Sequence, residues 1–182
     1  MIPLPILTRD PLQNLKVDAV GYGAKDTGEM GGGAAASILL SAGPEILTAL
    51  RSELSRTSRR TGDVVVTDSF NLKSQGIRWV LHIISIIKHT PQGAYCPEPE
   101  RLRDGVASAL NQIAKLGACS VAISALGTGE GRVDPRLAAR HMLQGVSVFQ
   151  QRDPAAVLQI TFSLPSFRDY EAFSAELATP HS

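Results

Sequence analysis

The chain has 182 residues, 43% of them hydrophobic and 19% charged, with a formal net charge of +1. This is the make-up of one globular domain with an ordinary core, and no bias suggests disorder. The interspersed charges supply no basic field of the kind that neutralises phosphates, so nucleic acid is not the expected partner.

In chain order, short strand-like runs alternate with longer helical stretches, which argues for α/β layering around a largely buried sheet. Strands are expected at residues 5–8 and 19–23, followed by a glycine-rich loop and a helix over 34–42. Gly43 suits a helix stop, and Pro44 opens a further helix carrying Ile46, Leu47 and Leu50. Residues 64–67 and 77–87 read as strands. Past Arg78 the second of these is mostly apolar on both alternating faces, as expected of a strand covered by helices on each side.

A helix is predicted over 99–116, where Leu102, Val106, Leu110 and Ile113 recur at helical spacing. Residues 119–126 form a second strand that is apolar on both faces, and with 77–87 it is expected to make the middle of the sheet. The helix over 135–150 has Pro135 in its first turn and Asp134 placed to cap it. A strand over 157–163 and a helix over 167–177 complete the pattern. The apolar run at residues 79–87 contains His82 and Ser85 and is too short to cross a bilayer, and no signal-type pattern opens the chain, so the protein reads as cytoplasmic, without a membrane partner. Cys96 and Cys119 have neither metal spacing nor disulfide density and read as reduced thiols.

Two loops carry the chemistry. Residues 21–38 (GYGAKDTGEMGGGAAASI) and 125–135 (ALGTGEGRVDP) each join a strand to the start of a helix. There, unpaired N–H groups and the helix dipole favour an anion, phosphate above all. Consecutive glycines let backbone approach a ligand without an intervening side chain. Both loops follow strands of one sheet, and ligands of open α/β folds sit beyond the carboxyl ends of the strands. Competing nucleotide motifs fail: there is no GxxxxGK[ST], and Asp26 stands where the third glycine of GxGxxG would be. His82, inside an apolar strand, reads as a satisfied core histidine. His89, His141 and His181 form no cluster, and no Gly-x-Ser-x-Gly elbow or metal-ligand spacing is present.

With these motifs in view, the chain resembles the macro domain family over nearly all of its length. The resemblance rests on VDAV at 17–20, MGGG at 30–33 leading into Ser37-Ile38, and AGPE at 42–45. It continues through Thr61-Gly62, Asn71-Leu72 before WVLH at 79–82, and ALGTG at 125–129. It implies a three-layer α/β/α sandwich with a mixed, mostly parallel central sheet in a single domain, and ADP-ribose or a related nucleotide in the crest above the sheet. No cofactor or metal is expected. The implied functions run from binding ADP-ribose or an ADP-ribosylated protein partner to hydrolysing ADP-ribosyl bonds.

Carried over by position, Gly31, Gly32 and Gly33, with Ala34 behind them, would approach the diphosphate and distal ribose. Gly127, Thr128 and Gly129 would cradle the phosphates from the other side, with Glu130, Gly131 and Arg132 continuing that loop. Asp10 resembles the aspartate that accepts a hydrogen bond from the adenine amino group; its alternative is a turn residue before Pro11. Phe167 either stacks on adenine or is part of the helix-packing core.

The departures concern the first loop, where active relatives carry an Asn-Ala-Ala-Asn segment and this chain has Tyr22-Gly-Ala-Lys25. Lys25 falls near the distal ribose as a solvated loop residue, a phosphate partner, or a nucleophile on the ribose carbon. With Asp26 it marks the catalytic site of the hydrolase alternative. Glu130 beside phosphates is repulsive unless it points outward, and Arg132 either compensates or lies on the surface. The retained glycine loops and the replaced asparagine favour a binding module over a hydrolase.

Overall fold

The computed structural model describes residues 4–56 and 59–179. Six strands form one sheet: β1 (Ile6–Thr8), β2 (Ala19–Lys25), β3 (Val64–Asp68), β4 (Trp79–Ile86), β5 (Ser120–Ser124) and β6 (Gln159–Ser163). Their spatial order is β1-β6-β5-β2-β4-β3. Every neighbouring pair is parallel except β3 with β4, so the sheet is mixed and mostly parallel, as expected.

The innermost pair is β5 and β2, which corrects the expectation that β4 and β5 share the centre. β4 lies one place further out, between β2 and the antiparallel edge. Gly21 and Gly23 hide the central position of β2, because they interrupt its apolar pattern while allowing close packing: a Cβ on Gly21 would stand 3.3 Å from Ile123. β4 is nevertheless buried on both faces, and that is why its sequence reads as a central strand.

Helices α1 (Gly33–Ala42) and α2 (Glu45–Leu54) cover one face, where Ile38, Ala42, Ile46 and Leu50 pack with Val20, Tyr22, Val80 and Ile84. Helices α3 (Leu102–Lys115), α4 (Pro135–Arg152) and α5 (Phe167–Ala178) cover the other, where Val106, Leu110, Met142, Val146 and Phe173 pack with Leu81, Ile123 and Phe162. Alternation along each strand divides its side chains between these two cores. The predicted helix over 99–116 begins as a 3₁₀ turn at Pro99–Arg101 before α3.

Asp18, in the VDAV motif, ties the lower ends of the central strands together. Its Oδ2 accepts from the N–H groups of Cys119 at 2.7 Å and Ser120 at 3.1 Å, and its Oδ1 lies 3.4 Å from the Arg78 guanidinium. Desolvation pushes this carboxyl upward, but the two backbone donors and Arg78 outweigh it and hold the group below its ordinary range.

His82 is fully buried and satisfied. Its Nδ1 lies 2.6 Å from the Tyr22 hydroxyl and its Nε2 2.8 Å from Thr67 Oγ1. Because Thr67 gives its one hydroxyl hydrogen to the Asp68 carbonyl at 3.0 Å, it accepts from Nε2–H, and Tyr22 donates to Nδ1. The imidazole is therefore neutral, and burial pushes it down to about 3. Cys96 and Cys119 are free thiols, the first buried and the second exposed. Among the described residues no helix is long and apolar enough to cross a membrane.

Candidate functional site

The carboxyl ends of the strands open into a crevice of about 630 Å³. Its wall begins beside β1 and β6 with Pro11, Leu12, Gln13, Pro165 and Ser166, passes over the end of β5, and finishes at β2 and β4 with Lys25 and Ser85. From β1 to β4 there are four strand intervals, about 19 Å at roughly 4.8 Å each. This is the length of an extended two-sugar nucleotide rather than of a single phosphate.

The first glycine loop delivers Gly31, Gly32, Gly33 and Ala34 to this wall. Gly32 occupies the N-cap of α1 with no side-chain cap, so the helix's opening N–H groups are left for a ligand. Among the described residues no heavy atom beyond the chain neighbours comes within 4 Å of a Cβ built on Gly31, Gly32 or Gly33, so packing does not account for these glycines, although Gly33 also has a backbone reason in its φ of +53. Open space there is what close approach of a ligand to backbone requires.

The second loop contributes Gly127, Thr128, Gly129 and Glu130. Here Gly127 and Gly131 have a structural reason, whereas Gly129 does not. Gly127 has φ +74, and a Cβ on Gly131 would stand 2.6 Å from the Gly127 carbonyl oxygen. The loop folds back on itself through Arg132 N–H to Gly129 O at 3.0 Å and Val133 N–H to Gly127 O at 2.9 Å. The start of α4 does not serve as an anion site, contrary to the expectation for this loop. Asp134 caps it, accepting from Arg136 N–H at 2.9 Å and Leu137 N–H at 3.3 Å, so the donors are already taken.

Lys25 and Glu130 meet across the mouth, with Nζ 2.7 Å from Oε2. Glu29 Oε2 lies 3.7 Å from the same ammonium, and Glu29 also receives Lys88 Nζ. The Lys88 hydrogen bond is the leading reason that the Glu29 carboxyl is held below its ordinary range. Glu130 thus faces a cation of its own protein and does not point away. Asp26 accepts the Lys88 backbone N–H at 3.0 Å and does not line the crevice.

The remaining sequence candidates do not line the crevice, although Asp10 and Phe167 adjoin the lining residues Pro11 and Ser166 in the chain. Asp10 takes the Thr8 hydroxyl at 3.0 Å in a local turn, while its carbonyl accepts from Ser163 Oγ at 2.7 Å. Phe167 is 59% exposed at the start of α5, which removes the reading that it packs in the core. The Arg9 guanidinium lies 5.7 Å from its ring centroid. Arg132, at φ 59, and Gly131 shape the loop from behind and do not line the cavity. Among the described residues no group of three His, Cys, Asp or Glu could hold a metal, and His181 lies outside them.

A family model described as Macro domain matches residues 23–142. The chain belongs to the macro domain family. A macro domain of Oceanobacillus iheyensis, solved as a glycine-to-valine variant with ADPR, superposes on it with a TM-score of 0.79 at 25% identity, covering 94% of this chain and 90% of that one. The Oceanobacillus iheyensis macro domain solved with ADP gives a TM-score of 0.79 at 25% identity, over 94% and 88% of the two chains. An uncharacterised protein of Thermococcus kodakarensis is 27% identical over 129 residues, 68% of this chain and 67% of its own length.

Sequence reasoning missed several wall residues of this macro domain. Asp169 lines the crevice and accepts the Thr128 hydroxyl at 3.2 Å. Burial raises its carboxyl above the ordinary value, with Thr128 and Arg168 opposing. The segment Ser166-Phe-Arg-Asp169 carried a legible signal, a helix-opening capping pattern in which Asp169 N–H donates to Ser166 Oγ at 3.4 Å. Ser85, Ser124 and Ser163, at or near the ends of β4, β5 and β6, also line the wall. Only the sheet order brings those three together.

Proposed function

We propose that the crevice binds ADP-ribose or a close relative, free or attached to a protein, with the diphosphate lying between the two glycine loops. The observation that carries this reading is the uncapped start of α1 behind three glycines whose side-chain positions are empty, directly in the wall of a cleft of nucleotide length. That the Oceanobacillus iheyensis macro domains at 25% identity were solved with ADPR and with ADP supports the same ligand class. In this reading Asp10 and Phe167 flank the adenine end, next to Arg9. Gly31, Gly32, Gly33 and Ala34 meet the phosphates from one side, and Gly127, Thr128 and Gly129 from the other. The chain works as a single domain in the cytoplasm.

Binding is favoured over hydrolysis by what surrounds Lys25 and Asp26. A nucleophilic lysine needs a free lone pair and an open approach to carbon, whereas Lys25 Nζ is engaged by Glu130 and Glu29 and its side chain is only 16% exposed. Asp26 is occupied with the Lys88 backbone. Titration calorimetry with ADP-ribose, using AMP and NAD as controls, tests the proposal. Selective ADP-ribose binding is expected, and absence of binding at millimolar ligand would sink it.

A further inference from the structure

The Lys25–Glu130 pair closes the end of the crevice farthest from β1. Lys25 holds Glu130 at 2.7 Å and stands 3.7 Å from Glu29, which Lys88 holds in turn. Each of the two ammonium groups is engaged by a carboxylate, and Arg51 acts on Glu29 through charge alone, so neither lysine is a spare cation for a further anion on the ligand. Glu130 Oε2 is fixed by Lys25. Among the described residues no donor is bonded to its other oxygen, and the side chain is 47% exposed in the crevice wall. A carboxylate with one oxygen anchored and the other open is an acceptor only, and in a ligand of the ADP-ribose type the uncharged groups beyond the diphosphate that can donate to it are hydroxyls.

We propose that Glu130, held by Lys25, is a specificity-determining residue that accepts hydrogen bonds from the vicinal hydroxyls of a terminal sugar lying beyond the diphosphate. The inference rests on the reading that the crevice takes a nucleotide along the strand ends. Glu130 touches the sugar, and Lys25 is a positioning residue. The chemistry is that of an acidic side chain accepting from a nucleotide ribose, placed here at the opposite end of the ligand. A ligand that stops at its second phosphate lacks these donors. One carrying a further phosphate at that end meets two carboxylates whose cations are already engaged.

The test is calorimetry on the full chain with ADP-ribose and with ADP, for the parent protein and for E130A, K25M and K25R. The parent is expected to prefer ADP-ribose by roughly tenfold or more, the worth of hydrogen bonds to a charged acceptor. E130A and K25M are expected to bring that ratio close to one, and K25R to keep much of it. Equal affinity for ADP and ADP-ribose in the parent would overturn the proposal while leaving the nucleotide reading standing. Tighter binding of both ligands by E130A would also overturn it, by showing Glu130 to be only a repulsive neighbour. If K25M weakened both ligands together, Lys25 would be a phosphate partner and its positioning role would be wrong. Failure of both ligands to bind the parent would remove the nucleotide reading and this inference with it.

Discussion

Thr128 donates its hydroxyl to Asp169 Oδ2 across 3.2 Å, tying the loop after β5 to the first turn of α5. The bond places a carboxyl in the wall where phosphates are proposed to lie. Burial raises that carboxyl above the ordinary 3.8, so it takes up a proton more readily in the folded state. Because folding favours the protonated form, this group's contribution to stability is best below 3.8 and declines as pH rises through the higher folded value. Ligand affinity should follow the same direction, since the ionised form repels the diphosphate. Asp169→Asn is expected to tighten ADP-ribose by roughly two- to fivefold at neutral pH, a partly screened charge effect. Calorimetry between pH 4 and 7 should show a declining affinity that the variant flattens.

The glycines of the two loops should separate by phenotype. Gly32 is in extended backbone at φ −155, and nothing occupies its side-chain position. Gly32→Val should cost no more than about 1 kcal/mol of stability, from the poorer N-cap, and tenfold or more in ADP-ribose affinity. Gly131→Ala places a Cβ 2.6 Å from the backbone oxygen of Gly127 and should cost about 1–3 kcal/mol of stability as well as affinity. Urea midpoints beside calorimetry distinguish the two.

Ser85 lies at the register shift between β2 and β4, where Ala24 pairs with Ile84 and Lys25 with Ile86. Among the described residues its buried hydroxyl has no hydrogen-bond partner, and a Cβ on Gly23 would stand 2.5 Å from it. Ser85→Ala should therefore be neutral or stabilising by about 1 kcal/mol, because an unmet polar group is removed. Gly23→Ala should destabilise by about 1–3 kcal/mol, and less in the Ser85→Ala background. Chemical denaturation of the four proteins reads the coupling.

The buried His82 predicts an acid limb in stability. Burial pushes its pKa down from 6.5 to about 3, so between those values the unfolded chain binds the proton and the folded one does not. Stability contributed here is complete above pH 6.5 and falls as pH is lowered toward 3. Tyr22→Phe removes the donor to Nδ1 and should cost about 1–3 kcal/mol at pH 7. Denaturation midpoints measured from pH 4 to 7 should rise with pH in the parent protein.

Both glycine loops, the flanking strands and the helices α1 and α4 were legible because their signals are local. Glycine runs, a proline in a first turn and periodic apolar residues act within a few positions of chain. His82 was legible for the same reason, as a polar residue inside an apolar strand. The central position of β2 was hidden by its glycines, which look like loop in sequence and turn out to sit where neighbouring side chains leave little room for a Cβ. Asp169 was passed over because its importance lies in a bond to a loop 41 residues away.

Charge was the property least readable one residue at a time. Lys25 and Glu130 each looked anomalous beside a phosphate site, one as a loop lysine open to solvent, phosphate or ribose carbon and the other as a repulsive acid. At 2.7 Å they answer one another. Local pattern determined the strands, the helices and the glycine loops, because those depend on backbone freedom and on periodic burial. The tertiary fold alone decided which strand ends adjoin, which helix start is left uncapped, and which ions are already paired, because Coulomb energy and hydrogen bonding depend on distance through space and not along the chain.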